Sequence, residues 1–140
     1  MKKISSLIIP FIILTSCNDE NNSDDSHNYH ETKESLIVWN DTFNQKEDEY
    51  IVYFYSETCG HCNAIKQDVI SFYLKEYIAM YFVCTDLGVV YGNNKSIIGI
   101  DNIDDFFIYG TPSLCEIFSH KVESYYVGEK EILNYLNQFK

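Results

Sequence analysis

Two hydrophobic periods alternate along this chain. Short continuous runs of β-branched and aromatic residues give way to stretches whose apolar positions recur every three or four residues, from Tyr29 to Lys140. Ser35-Leu36-Ile37-Val38-Trp39 predicts a first strand, after which Asn40 or Asp41 would cap a short polar helix carrying Phe43. Glu49 to Ser56 is apolar at nearly every position, as in a central strand buried on both faces. From Gly60 to Tyr77 the residues Ala64, Ile65, Val69, Phe72, Tyr73 and Tyr77 keep helical spacing.

Ile78 to Thr85 predicts the next strand, with Cys84 inside it and Asp86-Leu87-Gly88 closing it. Val89 to Asp105 is punctuated by Gly92-Asn93-Asn94 and Gly99, and Asp101 or Asn102 is placed to cap a short helix through Phe107. Tyr109-Gly110-Thr111-Pro112 breaks the pattern. Ser113–Phe118 and Val122–Val127 then predict a hairpin turning at Ser119-His120-Lys121, with His120 a surface residue. Gly128 ends it, and Glu129 to Lys140 predicts a last helix. That helix turns Ile132, Leu133, Leu136 and Phe139 inward and sets Glu129 and Glu131 near its positive end.

The first 28 residues follow neither period. Lys2 and Lys3 precede the apolar run Leu7–Leu14, which is shorter than the ~20 residues a membrane-spanning helix needs. It ends in Leu14-Thr15-Ser16-Cys17, which resembles the bacterial lipobox, where small residues precede a cysteine that is lipidated and becomes the mature N-terminus. Residues 1–16 are therefore expected to be a lipoprotein signal peptide. Residues 17–28, from the lipidated Cys17 through an acidic stretch with almost nothing to bury, are expected to be a flexible tether. Residues 29–140 form one domain. On this expectation the domain works outside the cytoplasm, anchored to a bacterial membrane through lipid on Cys17.

Charge narrows the partners. The formal net charge is -11, from 10 lysines, no arginine and 21 acids, and it becomes -13 once Lys2 and Lys3 are removed. An anionic body without arginine repels phosphate, so nucleic acid is excluded as a partner. His27 and His30 lack the cysteine neighbours or ligand spacing of a metal site, and neither a metal nor another cofactor is expected.

Five cysteines are odd for an exported protein, but lipid on Cys17 leaves four and three possible pairings. Two of them form Cys59-Gly60-His61-Cys62, at the point where the aromatic strand hands over to a helix. Thr111-Pro112 follows about fifty residues later. The aromatic strand, this motif, Gly110-Thr111-Pro112 and Tyr126-Val127-Gly128 together resemble the thioredoxin superfamily across nearly the whole domain. The resemblance implies an α/β thioredoxin fold, a central mixed β-sheet flanked by helices. It further implies a redox-active disulfide between Cys59 and Cys62, a cis Pro112, and a role for Thr111 and Pro112 in holding a substrate strand. Its sheet order would separate Cys84 from Cys115 by a whole strand, beyond disulfide reach, leaving both as free, small, apolar residues. Three positions depart from the family. Tyr53 stands where many members carry a buried acid, Thr58 replaces the usual tryptophan, and Gln67 replaces the helix-kinking proline. The stretch between Asp86 and Thr111 is also longer than in the simplest members.

A thiolate, not a thiol, attacks a disulfide. Cys59 at the head of a helix is the expected nucleophile, and Cys62, one turn on and more buried, the resolving thiol. His61 is expected to stabilise the thiolate and so make the disulfide more oxidising, the Cys-Gly-His-Cys motif being typical of protein disulfide isomerase; Glu57 opposes it unless it points to solvent. The expected function is a monomeric thiol-disulfide oxidoreductase acting on cysteines and disulfides of exported proteins, tilted toward oxidase or isomerase, with a membrane redox partner. The alternative is a non-enzymatic docking or metal-handling accessory of an export system that kept the fold.

Overall fold

A computed structural model describes residues 29–93 and 95–140. The expected signal peptide, Cys17 and the expected tether to residue 28 lie outside them. Six regular elements organise the domain: β1 (Glu49–Tyr55), α1 (Gly60–Tyr73), β2 (Ala79–Cys84), β3 (Ser113–Phe118), β4 (Lys121–Val127) and α2 (Glu129–Leu136). The strands form one mixed sheet in the order β2-β1-β3-β4. β1 runs parallel to β2 and antiparallel to β3, and β3 and β4 make the antiparallel hairpin. This is the thioredoxin fold.

The unbroken apolar run of β1 is explained by its place. Its side chains alternate between the two faces of the sheet, and each face meets its own core. Ile51, Tyr53 and Tyr55 join the layer beneath α1 and α2, with Cys62, Ile65, Val69, Phe82, Leu114 and Ile132. Tyr50, Val52 and Phe54 face the opposite layer, with Val83, Ile97, Phe106, Ile108, Cys115 and Ile117. Tyr50 through Phe54 are completely buried.

The predicted first strand is not formed. A 3-10 helix occupies His30–Ser35, a single parallel bridge joins Leu36 to Phe82, and a second 3-10 turn follows at Trp39–Asp41. Leu36 and Val38 are exposed, so the segment touches the β2 edge at one point and leaves again. That second turn begins at Trp39 without a side-chain cap, not at an Asn40 or Asp41 cap. Helix α1 stops at Tyr73 rather than Tyr77, where the chain turns back through Glu76 with φ 53° to start β2. Ala64 and Tyr77 are exposed, and Lys66 takes a place on the buried face. The last helix also ends early, at Leu136, and closes in a 3-10 turn at Asn137–Phe139.

No helix forms at 101–107. The Asn102 side chain instead accepts the Asp105 N–H at 3.0 Å, a local turn that competes with helix. After a 3-10 turn at Thr85–Leu87, the described residues from Gly88 to Gly110 cover the second face of the sheet as largely irregular chain. Its backbone groups are paired by Ile108 with Val90 and Gly92, and by Gly99 and Ile100 with Val122. Phe106 seats against Trp39, Phe43 and Phe54.

Candidate active site

The site forms where β1 ends. Cys59 has extended backbone and is the N-cap of α1, its sulfur accepting the Cys62 N–H at 3.1 Å. Cys59 and Cys62 are joined as a disulfide. Cys62 is buried at 1% exposure and Cys59 is partly exposed, so an incoming sulfur meets Cys59 first. The turn leading into the motif is held from across the sheet. Asp86, just after β2, accepts the Glu57 N–H at 2.8 Å and the Ser56 hydroxyl at 2.7 Å, and these bonds hold its carboxyl below the usual range. The Glu57 side chain is exposed.

Thr111-Pro112 is a cis peptide, and it faces the cysteines: Cys59 Sγ lies 3.4 Å from the Thr111 carbonyl oxygen. Neighbouring contacts fix this turn. The Gly128 N–H donates to the Pro112 carbonyl at 2.9 Å, while the Tyr125 hydroxyl accepts the Tyr109 N–H and meets Ser113 Oγ, both at 2.8 Å. Gly128 reaches its place with φ 84°, a conformation that favours glycine. Between this turn and α2 lies an open cleft of about 330 Å³ lined by His61, Gly110, Thr111, Pro112, Val127, Gly128 and Glu129.

His61 does not stand alone beside the pair. Its Nδ1 lies 2.6 Å from the Glu129 carboxylate at the rim of the cleft. Behind Cys62, at Tyr53, the structure places a phenol pair. The Tyr53 and Tyr29 hydroxyls are 3.3 Å apart, and Tyr29 donates to the Cys62 carbonyl at 3.4 Å. Burial pushes the Tyr29 phenol up to about 12 and the Tyr53 phenol higher, so both remain protonated donors at neutral pH.

Cys84 and Cys115 are free, on β2 and β3 with β1 between them. Cys115 is fully buried, whereas Cys84 is half-exposed and lies 3.5 Å from Asp86. The structure thus brings Cys59, His61, Cys62, Thr111 and Pro112 to one end of the sheet and leaves His120 in the far hairpin turn. Cys17 lies outside the described residues. Sequence reasoning missed Glu129 as a partner of His61, Asp86 as the clamp of the motif turn, and Tyr29 and Lys66 behind Cys62. Of these, only Lys66 carried a signal, four residues after Cys62 and therefore on its helical face. Among the described residues, no three His, Cys, Asp or Glu side chains gather where they could hold a metal ion.

No family model and no curated protein sequence matches the chain. Solved structures do. Mitochondrial thioredoxin 3 from Saccharomyces cerevisiae, in its oxidized form, superposes with a TM-score of 0.52 at 11% identity, covering 74% of this chain and 90% of its own. The thioredoxin of Trypanosoma brucei brucei gives 0.52 at 18% identity, covering 75% and 87%. Thioredoxin O2 from Arabidopsis thaliana, oxidized, gives 0.50 at 17% identity, covering 77% and 97%. At these identities the likeness establishes the fold. The fold together with a Cys-x-x-Cys disulfide at the head of α1 supports thiol-disulfide oxidoreductase chemistry.

Proposed function

We propose that this chain is a membrane-anchored, extracytoplasmic thiol-disulfide oxidoreductase that acts on cysteines and disulfides of exported proteins. The observation that carries the chemistry is the Cys59–Cys62 disulfide capping α1 opposite Thr111-Pro112. The location is carried by the sequence alone, through the apolar run ending at Cys17.

In the oxidising direction a substrate thiolate attacks Cys59 Sγ. The Cys59–Cys62 bond breaks and its electron pair leaves on Cys62 as a thiolate. A second substrate thiolate then attacks the substrate sulfur of the mixed disulfide and expels Cys59. The substrate loses two electrons, the pair gains them, and a membrane redox partner would take them onward. For isomerisation the reduced pair starts the reaction, with Cys59 attacking a substrate disulfide. Helix α1 stabilises the Cys59 thiolate by presenting the Cys62 N–H and the positive end of its dipole. Glu129, 2.6 Å from His61 Nδ1, offsets positive charge that the ring brings to the pair when protonated. The tilt toward oxidase or isomerase rests on His61 and on Tyr53 standing in place of a buried acid.

The test is a Cys62→Ser variant in cells. Mixed disulfides with exported proteins should accumulate through Cys59. Their absence under both oxidising and reducing conditions would remove the enzyme reading in favour of a docking role. Equilibration with glutathione sets the direction, and a potential at or below that of thioredoxin, about -270 mV, would reverse the tilt.

A further inference from the structure

Lysine is seldom buried, yet Lys66 is only 5% exposed on the sheet-facing side of α1. It lies one helical turn beyond Cys62, so the two residues share one face of α1. Its Nζ is 5.6 Å from the centre of the Tyr29 ring. The hydroxyl of that ring meets the Cys62 carbonyl and Tyr53. A cation, two neutral phenols and a buried sulfur thus share one layer.

When the disulfide opens, Cys62 becomes a thiolate in surroundings that disfavour charge. The two phenols donate hydrogen bonds but accept no proton. We propose that Lys66 is a positioning residue for the resolving step: its ammonium, steadied over the Tyr29 ring, stabilises the Cys62 thiolate that closes the disulfide. The step itself is ordinary exchange. Cys62 loses its proton to solvent and attacks Cys59 Sγ, the Cys62–Cys59 bond forms, and the substrate leaves as a thiolate that takes up a proton. The inference rests on the oxidoreductase reading, and it assigns control of resolution to a group other than a buried acid.

Other titratable groups approach the same layer and set the background of any pH profile. The N-terminal turn brings Tyr29, His30 and Lys33, and the end of β1 brings Tyr53, Tyr55 and Glu57. β2, β4 and α2 add Cys84, Tyr126 and Tyr135, and Tyr73 closes α1; His61 and Glu129 stand at the cleft side. Among these, Lys66 is the cation on the helical face of Cys62.

The test uses single-thiol titration of the full chain, with site-resolved alkylation read by mass spectrometry across pH. In a Cys59→Ser background, Lys66→Met should raise the pH midpoint of Cys62 by about one unit, and Lys66→Arg should restore most of it. In a Cys62→Ser background, the same Lys66→Met change should move Cys59 by less, because Cys59 stands seven residues before Lys66 and Cys62 only four. Two results overturn the proposal: an unchanged Cys62 midpoint, or equal shifts of both cysteines, which would mark a general change in the helix. Should Lys66→Met melt before titration, Lys66→Gln carries the same comparison. These titrations involve no substrate, so they can fail while mixed-disulfide trapping succeeds, and the reverse.

Discussion

The two faces of the sheet are built differently, and the difference separates chemistry from support. On the face under α1 and α2, polar groups are buried and aimed at the site. Tyr29 and Tyr53 meet behind Cys62, and Lys66 lies over Tyr29. On the opposite face, largely irregular chain among the described residues from Gly88 to Gly110 covers a mainly apolar layer, with Ile97, Phe106 and Ile108 against Val52, Phe54 and Cys115. Regular helices fix the first layer residue by residue, because each turn places a side chain at a set depth. The second layer needs only enough apolar volume, and a chain whose backbone is paired by Val122 and Ile108 supplies it. Mechanism should accordingly respond to changes on one face and stability to changes on the other.

The largest contrast lies between the two free thiols. Cys115 faces the carbon layer with no exposure, and burial pushes its thiol well above the ordinary value. Its alkylation in the oxidised protein must await unfolding, which costs on the order of 5–15 kcal/mol and protects it by a factor of at least roughly 10³. Cys84 is half-exposed at the end of β2, where burial and the Asp86 carboxylate raise its thiol. It should react in the native state, slowly at pH 7 and faster as pH rises. Timed iodoacetamide labelling with peptide mass spectrometry reads both, and comparable native-state rates would mean that the loop-covered face opens on its own.

A truncation beneath that loop comes next in size. Phe106 is 1% exposed and packs against three aromatic rings. Phe106→Ala should cost roughly 3–5 kcal/mol in denaturant unfolding. The pH midpoint of the Cys59 thiolate in the folded variant should stay where it is. A shift would show that the two faces are coupled through β1, and the division of labour would fail.

How far each face could be read from sequence follows the same division. β1 was legible because a strand buried on both sides must be apolar at every position, and the cysteine motif was legible because strand, turn and helix all carry local signals. The covering chain was not. Asp101 and Asn102 look like helix caps, but in the fold the Asn102 side chain closes a turn on Asp105, and a side chain that bonds locally serves either role. The run Ser35–Trp39 has the composition of a strand, yet only Leu36 bridges Phe82. Edge pairing depends on the partner's free backbone, which composition does not record. At the site, Cys59, Cys62, Thr111 and Pro112 were visible as motifs. His61 was visible too, but not its partner Glu129, 68 residues away, because pairing across a cleft leaves no periodic trace.

The smallest expected effect concerns the clamp that joins the β2 end to the motif turn. Asp86 accepts from the Ser56 hydroxyl and the Glu57 N–H, and both bonds favour the carboxylate over the acid. Its folded value therefore lies below the unfolded one of about 3.9. A depressed carboxyl contributes stability that is fully present above the unfolded value and is lost as pH falls through the folded value. Asp86 is exposed, so solvent screens the contribution, and roughly 1 kcal/mol is its upper range. In Asp86→Asn one acceptor oxygen remains but the charge is gone. The variant should unfold at slightly lower denaturant than wild type at pH 7, and the gap should close below pH 4. The rate of Cys59 alkylation is the sharper readout, because Ser56 and Glu57 lead directly into the motif. If freeing that turn speeds alkylation of reduced Cys59, the irregular face contributes to the site through this clamp as well as through Tyr109. If the rate is unchanged, α1 and the Thr111-Pro112 turn suffice to hold the cysteine.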